Sequence, residues 1–184
     1  MKRVFIAIKI EPGDELLKMF SSFKSVLKNE SIKWTETSNI HITLVFLGDT
    51  EEKRITEIDQ LLAGVCTGFG EFELKLRGAG VFRNIRDPRV IWAGINFSKE
   101  MADLNKAITG KLQETGTPLE NRSFNPHLTL GRIKRINDIS LLSGLLENYT
   151  SKEIQPVKVT EIIFFESILR PEGPIYKPLG TYLL

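Results

Sequence analysis

Asn39-Ile40-His41-Ile42-Thr43-Leu44-Val45-Phe46-Leu47 and Asn125-Pro126-His127-Leu128-Thr129-Leu130-Gly131-Arg132 are two copies of one pattern. They match at Asn, His, Thr and Leu, and exchange aliphatics at Ile42/Leu128 and Leu47/Ile133. The sequence holds two histidines in all, and each has Thr at +2 and Leu at +3. With 13 threonines in 184 residues, chance sets Thr at +2 of both histidines in roughly one sequence in two hundred. A lone strand histidine is most often a satisfied structural residue. Two copies of one pattern reverse that reading and point to a paired site. The histidines stand 86 residues apart, the difference between 127 and 41 and close to half the chain. A duplicated lobe with pseudo-twofold symmetry, and a cleft between the lobes, is the simplest fold for such a chain.

Each copy is β-branched, aliphatic and aromatic, and reads as a strand. Alternation with period two puts His41, Thr43 and Val45 on one face, with Ile42, Leu44 and Phe46 on the other. His127 and Thr129 sort likewise against Leu128 and Leu130. Each strand can bury its aliphatic face while its His and Thr point into the cleft.

The rest of the chain supplies strands and helices in alternation. A buried strand over 3–10 precedes a helix opened by Pro12, Asp14 and Glu15, with an apolar stripe to about residue 29. Ile32-Lys33-Trp34 is a short strand, and Thr35 to Asn39 a connector into the first copy. A helix over 51–66 and a half-exposed strand over 72–77 follow it. Gly78 to Phe82 leads into a loop over 83–89, and Val90 to Ile95 is again a buried strand. Ser98 starts a helix bearing Met101, Leu104, Ile108 and Leu112, and a polar segment past Pro118 leads into the second copy. A short helix over 138–148, one long strand from Val157 to Glu166, and a final strand ending at Leu184 complete the chain. This order predicts an α+β fold, a bilobal duplication with two antiparallel sheets facing a central cleft and helices on the outside.

With 41% apolar and 26% charged residues, 1–184 is expected to form a single soluble domain and a monomer. A net charge of +2 is too small to imply a general nucleic-acid binder, so attraction to phosphate must come from local clusters. The single Cys66 fits a reducing compartment, and two histidines with one cysteine leave no structural zinc pattern. No metal and no cofactor are expected. The apolar run after Arg3 is too short for a signal-peptide core of about 7–15 residues, and no stretch reaches the roughly 20 apolar residues of a membrane span. A cytoplasmic protein is expected.

The two motifs, with Arg-Val-Phe-Ile-Ala-Ile at 3–8, Ile-Lys-Trp at 32–34 and Gly-Ala-Gly-Val-Phe at 78–82, resemble the 2H phosphoesterase superfamily. So do Pro-Arg-Val-Ile-Trp-Ala-Gly at 88–94 and Leu-Arg-Pro-Glu-Gly-Pro-Ile-Tyr at 169–176. Within it the chain is similar, over its whole length, to the RNA 2′,3′-cyclic phosphodiesterases, once described as 2′-5′ RNA ligases. The resemblance implies RNA with 2′,3′-cyclic phosphate ends as substrate, tRNA fragments among them, or small cyclic nucleotides. It implies His41 as proton donor and His127 as proton acceptor, roles the residues themselves leave open. Imidazole suits both tasks because its pKa lies near neutrality. Thr43 and Thr129 can donate to the non-bridging phosphate oxygens.

Strict alternation would turn Arg132 toward the core, where an unpaired guanidinium is costly. A bulge at Gly131 would turn it into the cleft instead, to grip phosphate. Arg83, Arg86 and Arg89, with Lys134 and Arg135, could form a basic rim, and Arg89 is the substrate-binding candidate among them. Trp34, Phe82 and Phe124 are candidates for stacking on a base, with Phe82 the one expected at the substrate. Three readings result. The first is hydrolysis of the cyclic phosphate to a 2′-phosphomonoester. The second is 2′-5′ ligation, or another small cyclic nucleotide, at the same site. The third is a nucleotide- or RNA-binding module without catalysis.

Overall fold

The computed structural model describes residues 1–119 and 123–184. Its strands are β1 (Lys2–Lys9), β2 (Ser31–Trp34), β3 (His41–Thr50), β4 (Phe72–Phe82), β5 (Val90–Ile95), β6 (Leu128–Arg135), β7 (Glu153–Val159), β8 (Glu161–Ile168) and β9 (Ile175–Leu183). Four helices accompany them: α1 (Asp14–Val26), α2 (Glu52–Cys66), α3 (Lys99–Glu114) and α4 (Ile139–Tyr149). Part of the predicted polar crossing after Pro118, at 120–122, lies outside the described residues. No helix among the described residues is long and apolar enough to cross a membrane.

The strands pair antiparallel in the order β7-β4-β5-β6-β3-β1-β8-β9, with β2 added to β6. The two expected sheets are the two halves of this order, and they meet at one register pair, Ile42 with Leu128. Each half takes its outer strands from a distant part of the chain. β4, which follows the first motif, pairs with β5 of the second half, and β8, which follows the second, returns to pair with β1. The predicted long strand from Val157 to Glu166 is in fact two. The chain leaves β7 beside β4 and enters β8 beside β1, breaking at Thr160 between the halves. Both pieces alternate alike, so local pattern hides the crossover. Each outermost strand carries a proline, Pro156 in β7 and Pro178 in β9. Proline cannot donate to a further neighbour, so it suits an edge.

One face of the sheet is covered by the helices. Leu16, Met19, Phe20 and Phe23 of α1 are buried at helical spacing, as are Met101, Leu104, Ile108 and Leu112 of α3. They share a core with Val4, Ile6, Ile8, Ile42, Leu128, Ile162 and Phe164. The Ser98 hydroxyl caps α3 by accepting from the Met101 N–H at 3.2 Å, and the Asp138 carboxylate caps α4. Cys66 is buried at the end of α2, and burial pushes its thiol up to about 11. The other face carries a smaller cluster, Phe5, Ala7, Ile163 and Phe165, with Phe46 and Tyr176 against it. That face is the cleft.

Both tryptophans lie on a strand glycine. Trp92 is the register partner of Gly80, and a Cβ at Gly80 would stand 2.3 Å from the indole Cζ2. Trp34 is the partner of Gly131, where a Cβ would stand 2.9 Å from the Trp34 Cε3 and from the Ile32 Cγ2. Two of the recognisable glycines in the sequence are therefore seats for indole rings.

Candidate active site

The pair Ile42–Leu128 fixes the geometry. Both side chains are fully buried on the helix side. Their neighbours on either side, His41 and Thr43 in one half and His127 and Thr129 in the other, therefore turn to the opposite face. Extending this antiparallel register by one residue each way sets His41 across from Thr129, and Thr43 across from His127. The four residues surround one local twofold axis, and all four are half-buried at the cleft wall.

Each ring is held by the same bond. His41 Nδ1 donates to the Asn39 carbonyl at 2.7 Å, and His127 Nδ1 donates to the Asn125 carbonyl at 2.9 Å. A carbonyl can only accept, so each neutral ring carries its proton on Nδ1 and leaves Nε2 with a free lone pair. The Asn at −2 of both motifs was visible in the sequence, but the tautomer is fixed by its main-chain carbonyl, which residue type does not reveal. Asn39 does more: its side-chain Nδ2 donates to the Pro174 carbonyl at 2.9 Å, tying the β8–β9 loop to the first motif.

Burial lowers the His41 pKa below the ordinary histidine value; the Asn39 hydrogen bond opposes this, while the charges of His127 and Arg132 add to it. Burial likewise lowers His127, opposed by the Asn125 bond and aided by Arg132. Both rings thus favour the neutral form in the free protein. An anion between them would restore a proton to one. Among the described residues no protein hydrogen bond engages the Thr43 or Thr129 hydroxyl, and neither is sealed from solvent. Thr56, Thr67, Thr109 and Thr150, by contrast, bond back to carbonyls of their own helices. The motif hydroxyls are available to a ligand.

The motif strands depart from strict alternation at the same place. In β3, Thr43 pairs with Ala7 and Val45 with Ile6, leaving Leu44 as an extra residue. In β6, Thr129 pairs with Trp92 and Gly131 with Ile91, leaving Leu130 extra. Leu44 and Leu130 both stand at +3 from their histidine, and the bulge shifts the residues just beyond them by one face, until a second irregularity at Leu47 in β3. The expectation for Val45 and Phe46 is therefore corrected: Val45 is buried in the helix-side core, and Phe46 faces the cleft. In β6 the bulge falls on Leu130 and not on Gly131, whose lack of a side chain serves Trp34. Arg132 is exposed on the cleft side, where its charge acts on His41, His127 and Tyr176.

Aromatic rings line the histidines. Phe82 meets His127 edge-on with 4.5 Å between ring centroids, and Trp92 stands behind Phe82 at 5.7 Å. His41 lies 5.0 Å from Phe5 and 5.1 Å from Tyr176, which it meets edge-on. Phe5, Tyr176 and Asn39 were not singled out from the sequence as site residues. Trp34 and Phe124 pack against the helix-side core. In the 83–89 loop, Arg83 and Arg89 both pair with Asp87, the latter at 3.2 Å, which draws two of the three arginines toward a carboxylate of their own loop.

A groove of about 670 Å³ opens beside His41. Its lining includes Asn39, Lys9, Phe165, Tyr176 and Lys158, and it reaches neither His127, Thr129 nor Arg132. Among the described residues no group of three His, Cys, Asp or Glu side chains is arranged to hold a metal ion.

The model of the LigT like Phosphoesterase family matches residues 6–92 and 96–176. The chain is 32% identical, over 99% of its length and 98% of the relative's, to the RNA 2′,3′-cyclic phosphodiesterase of Methanothermobacter thermautotrophicus. It is 33% identical to the protein of that name from Archaeoglobus fulgidus, over 98% of this chain and 99% of the relative. Its fold is similar to the crystal structure of TT0787 of Thermus thermophilus, with a TM-score of 0.81 at 23% identity, covering 99% of this chain and 97% of that one.

Proposed function

The chain belongs to the LigT like Phosphoesterase family, and we propose that it opens RNA 2′,3′-cyclic phosphate ends to 2′-phosphomonoesters by acid–base catalysis between His41 and His127. The observation that carries this reading is the matched tautomer: two rings, each locked through Nδ1, present Nε2 to one cleft from opposite strands. The relatives' name, RNA 2′,3′-cyclic phosphodiesterase, supplies the substrate class.

In the proposed reaction the cyclic phosphate lies between the rings, gripped by Arg132 and by the Thr43 and Thr129 hydroxyls. His127 Nε2 takes a proton from water as its oxygen bonds to phosphorus. The bond from phosphorus to the 3′ oxygen breaks on the opposite side, and His41, charged at Nε2, gives its proton to that oxygen. The product keeps the phosphate on the 2′ oxygen and frees the 3′ hydroxyl. One water is consumed, and the proton gained by His127 and lost by His41 is exchanged through solvent. Negative charge gathers on the non-bridging oxygens during the displacement, which is where hydroxyl and guanidinium donors act best. Two rings supply both proton transfers, so the scheme uses no metal ion. The leaving 3′ oxygen carries the ribose, so the nucleoside belongs on the His41 side, where the groove walled by Phe165 and Tyr176 offers room and an aromatic surface.

The test is incubation of the purified protein, in excess EDTA, with an oligonucleotide ending in a 2′,3′-cyclic phosphate. Undiminished conversion to the 2′-phosphomonoester is expected. Release of the 3′ isomer, or activity that disappears in chelator and returns with zinc or manganese, would overturn the scheme. Addition of a 5′-hydroxyl RNA to the same mixture reads out 2′-5′ joining.

A further inference from the structure

The bulges at Leu44 and Leu130 have a paired consequence. Each re-aims the residue at +5 from its histidine into the cleft, and that residue is Arg132 in one half and Phe46 in the other. The first half is not without a guanidinium there. Arg3, on neighbouring β1, lies over the Phe46 ring with 4.9 Å from its guanidinium carbon to the ring centroid. A guanidinium stacked on an aromatic face keeps its donors free at the edge, and the ring limits where it can swing. Phe46 packs beside Phe5, whose ring is 5.0 Å from His41, so two rings, Phe46 and Phe5, stand between Arg3 and His41. Tyr176 lies within the field of both Arg3 and Arg132.

Beyond the Phe46 ring, no ion-pair partner for Arg3 is found among the described residues. Arg3 is exposed, and Asp49, its register partner, is exposed as well. The cleft face therefore carries a guanidinium in each half, Arg132 at +5 from its histidine and Arg3 stacked on the residue that holds the +5 place in the other half, farther from the histidines along the cleft. A 2′,3′-cyclic phosphate is a 3′ terminus, so every other phosphate of an RNA substrate lies to its 5′ side.

We propose that Arg3, held on the Phe46 ring, binds a non-reacting phosphate of the RNA and so distinguishes an RNA end from a free cyclic mononucleotide. This rests on the hydrolysis proposed above, and the measurement separates the two. kcat/KM is compared on adenosine 2′,3′-cyclic phosphate and on a short oligonucleotide ending in the same group, for wild type, Arg3→Gln, Arg3→Lys and Phe46→Leu. Arg3→Gln should lower kcat/KM on the oligonucleotide about tenfold, through KM, and leave the mononucleotide within about twofold. Its log–log salt dependence on the oligonucleotide should flatten by about 0.7, the share of one phosphate contact on a single strand. Arg3→Lys should recover part of the loss, and Phe46→Leu should show part of it by freeing the guanidinium. Equal losses on both substrates would place Arg3 at the reacting phosphate, and no loss on the oligonucleotide would place it in solvent; either overturns the inference alone. A wild-type protein that turns over neither substrate overturns the function itself.

Discussion

Ile42 stands opposite Leu128 in the single register pair that joins the two halves of the sheet. Each histidine is the immediate chain neighbour of one member, so the distance across the site is set by two buried aliphatic side chains and not by a loop. Burying such a side chain contributes about 1.5–3 kcal/mol, and here it also sets the spacing of the proposed acid and base.

Leu128→Ala and Leu104→Ala both remove a fully buried leucine, and each should cost about 2–5 kcal/mol in denaturant unfolding. Only Leu128→Ala should also lower kcat, by about tenfold or more, at a temperature where both variants are folded. A shift of about an ångström at a reacting group is enough for that. Similar kcat values for the two variants would mean that the join does not set the catalytic spacing.

His41→Ala and His127→Ala should each reduce kcat by about 10²–10⁴-fold with little loss of folding, because both rings face the cleft. The double variant should be scarcely worse than either single one, since acid and base serve one displacement. Retention of more than a tenth of wild-type kcat by either single variant would remove that histidine from the chemistry.

The histidine environments give a signed pH dependence. Both rings are held below the ordinary value of 6.5, chiefly by burial. Below that value the unfolded chain takes up protons before the folded one, so stability is complete above about 6.5 and is lost as pH falls through the folded values. His41→Asn should flatten this decline in a chemical-denaturation series. The form with one charged and one neutral ring is most populated between the two lowered values, so kcat/KM should peak below pH 6.5. The kcat profile should peak at higher pH, because the bound phosphate anion favours the charged ring. A kcat/KM optimum above 7 would contradict this account.

The proposed site could be drawn from the sequence because its two strands repeat a pattern of residue types, and strand periodicity assigns faces directly. The sequence carried the bulges poorly. Nothing in Thr43-Leu44-Val45 or Thr129-Leu130-Gly131 marks an extra residue, because two successive aliphatic residues suit either geometry. Phe46 was therefore assigned to the wrong face, while Arg132 reached the right one because a core guanidinium is so costly that it demanded an irregularity. Residues brought in from other strands were least legible. Tyr176 meets His41 only because β9 is laid beside β8 and β8 beside β1, a crossing made at Thr160 between two strands that look like one. The carbonyls that hold the rings were not legible either: they belong to the main chain at −2, which any residue type supplies, and the Asn39 side chain is bonded to Pro174 instead.

The last prediction concerns Arg132 and the glycine before it. If the Arg132 guanidinium grips the reacting phosphate as a fork, Arg132→Ala should lower kcat/KM by about 10–100-fold, in line with the roughly 1.5–3 kcal/mol of a charged hydrogen bond. Arg132→Lys keeps the charge and loses the fork, so its loss should be smaller but measurable. Gly131 acts on Arg132 indirectly. A Cβ there meets both Ile32 and Trp34 at 2.9 Å, and these belong to β2, whose Lys33 is the register partner of Arg132. Gly131→Val must push β2 away and disturb the Arg132 backbone, so thermal stability and kcat/KM should fall together. Gly131→Ala combined with Trp34→Leu vacates the ring's place, and should recover more activity than Gly131→Ala alone. Near-wild-type kcat/KM for Arg132→Ala would put the guanidinium out of reach of the phosphate. The two threonine hydroxyls would then be its main anchors, and Thr43→Val with Thr129→Val should abolish binding.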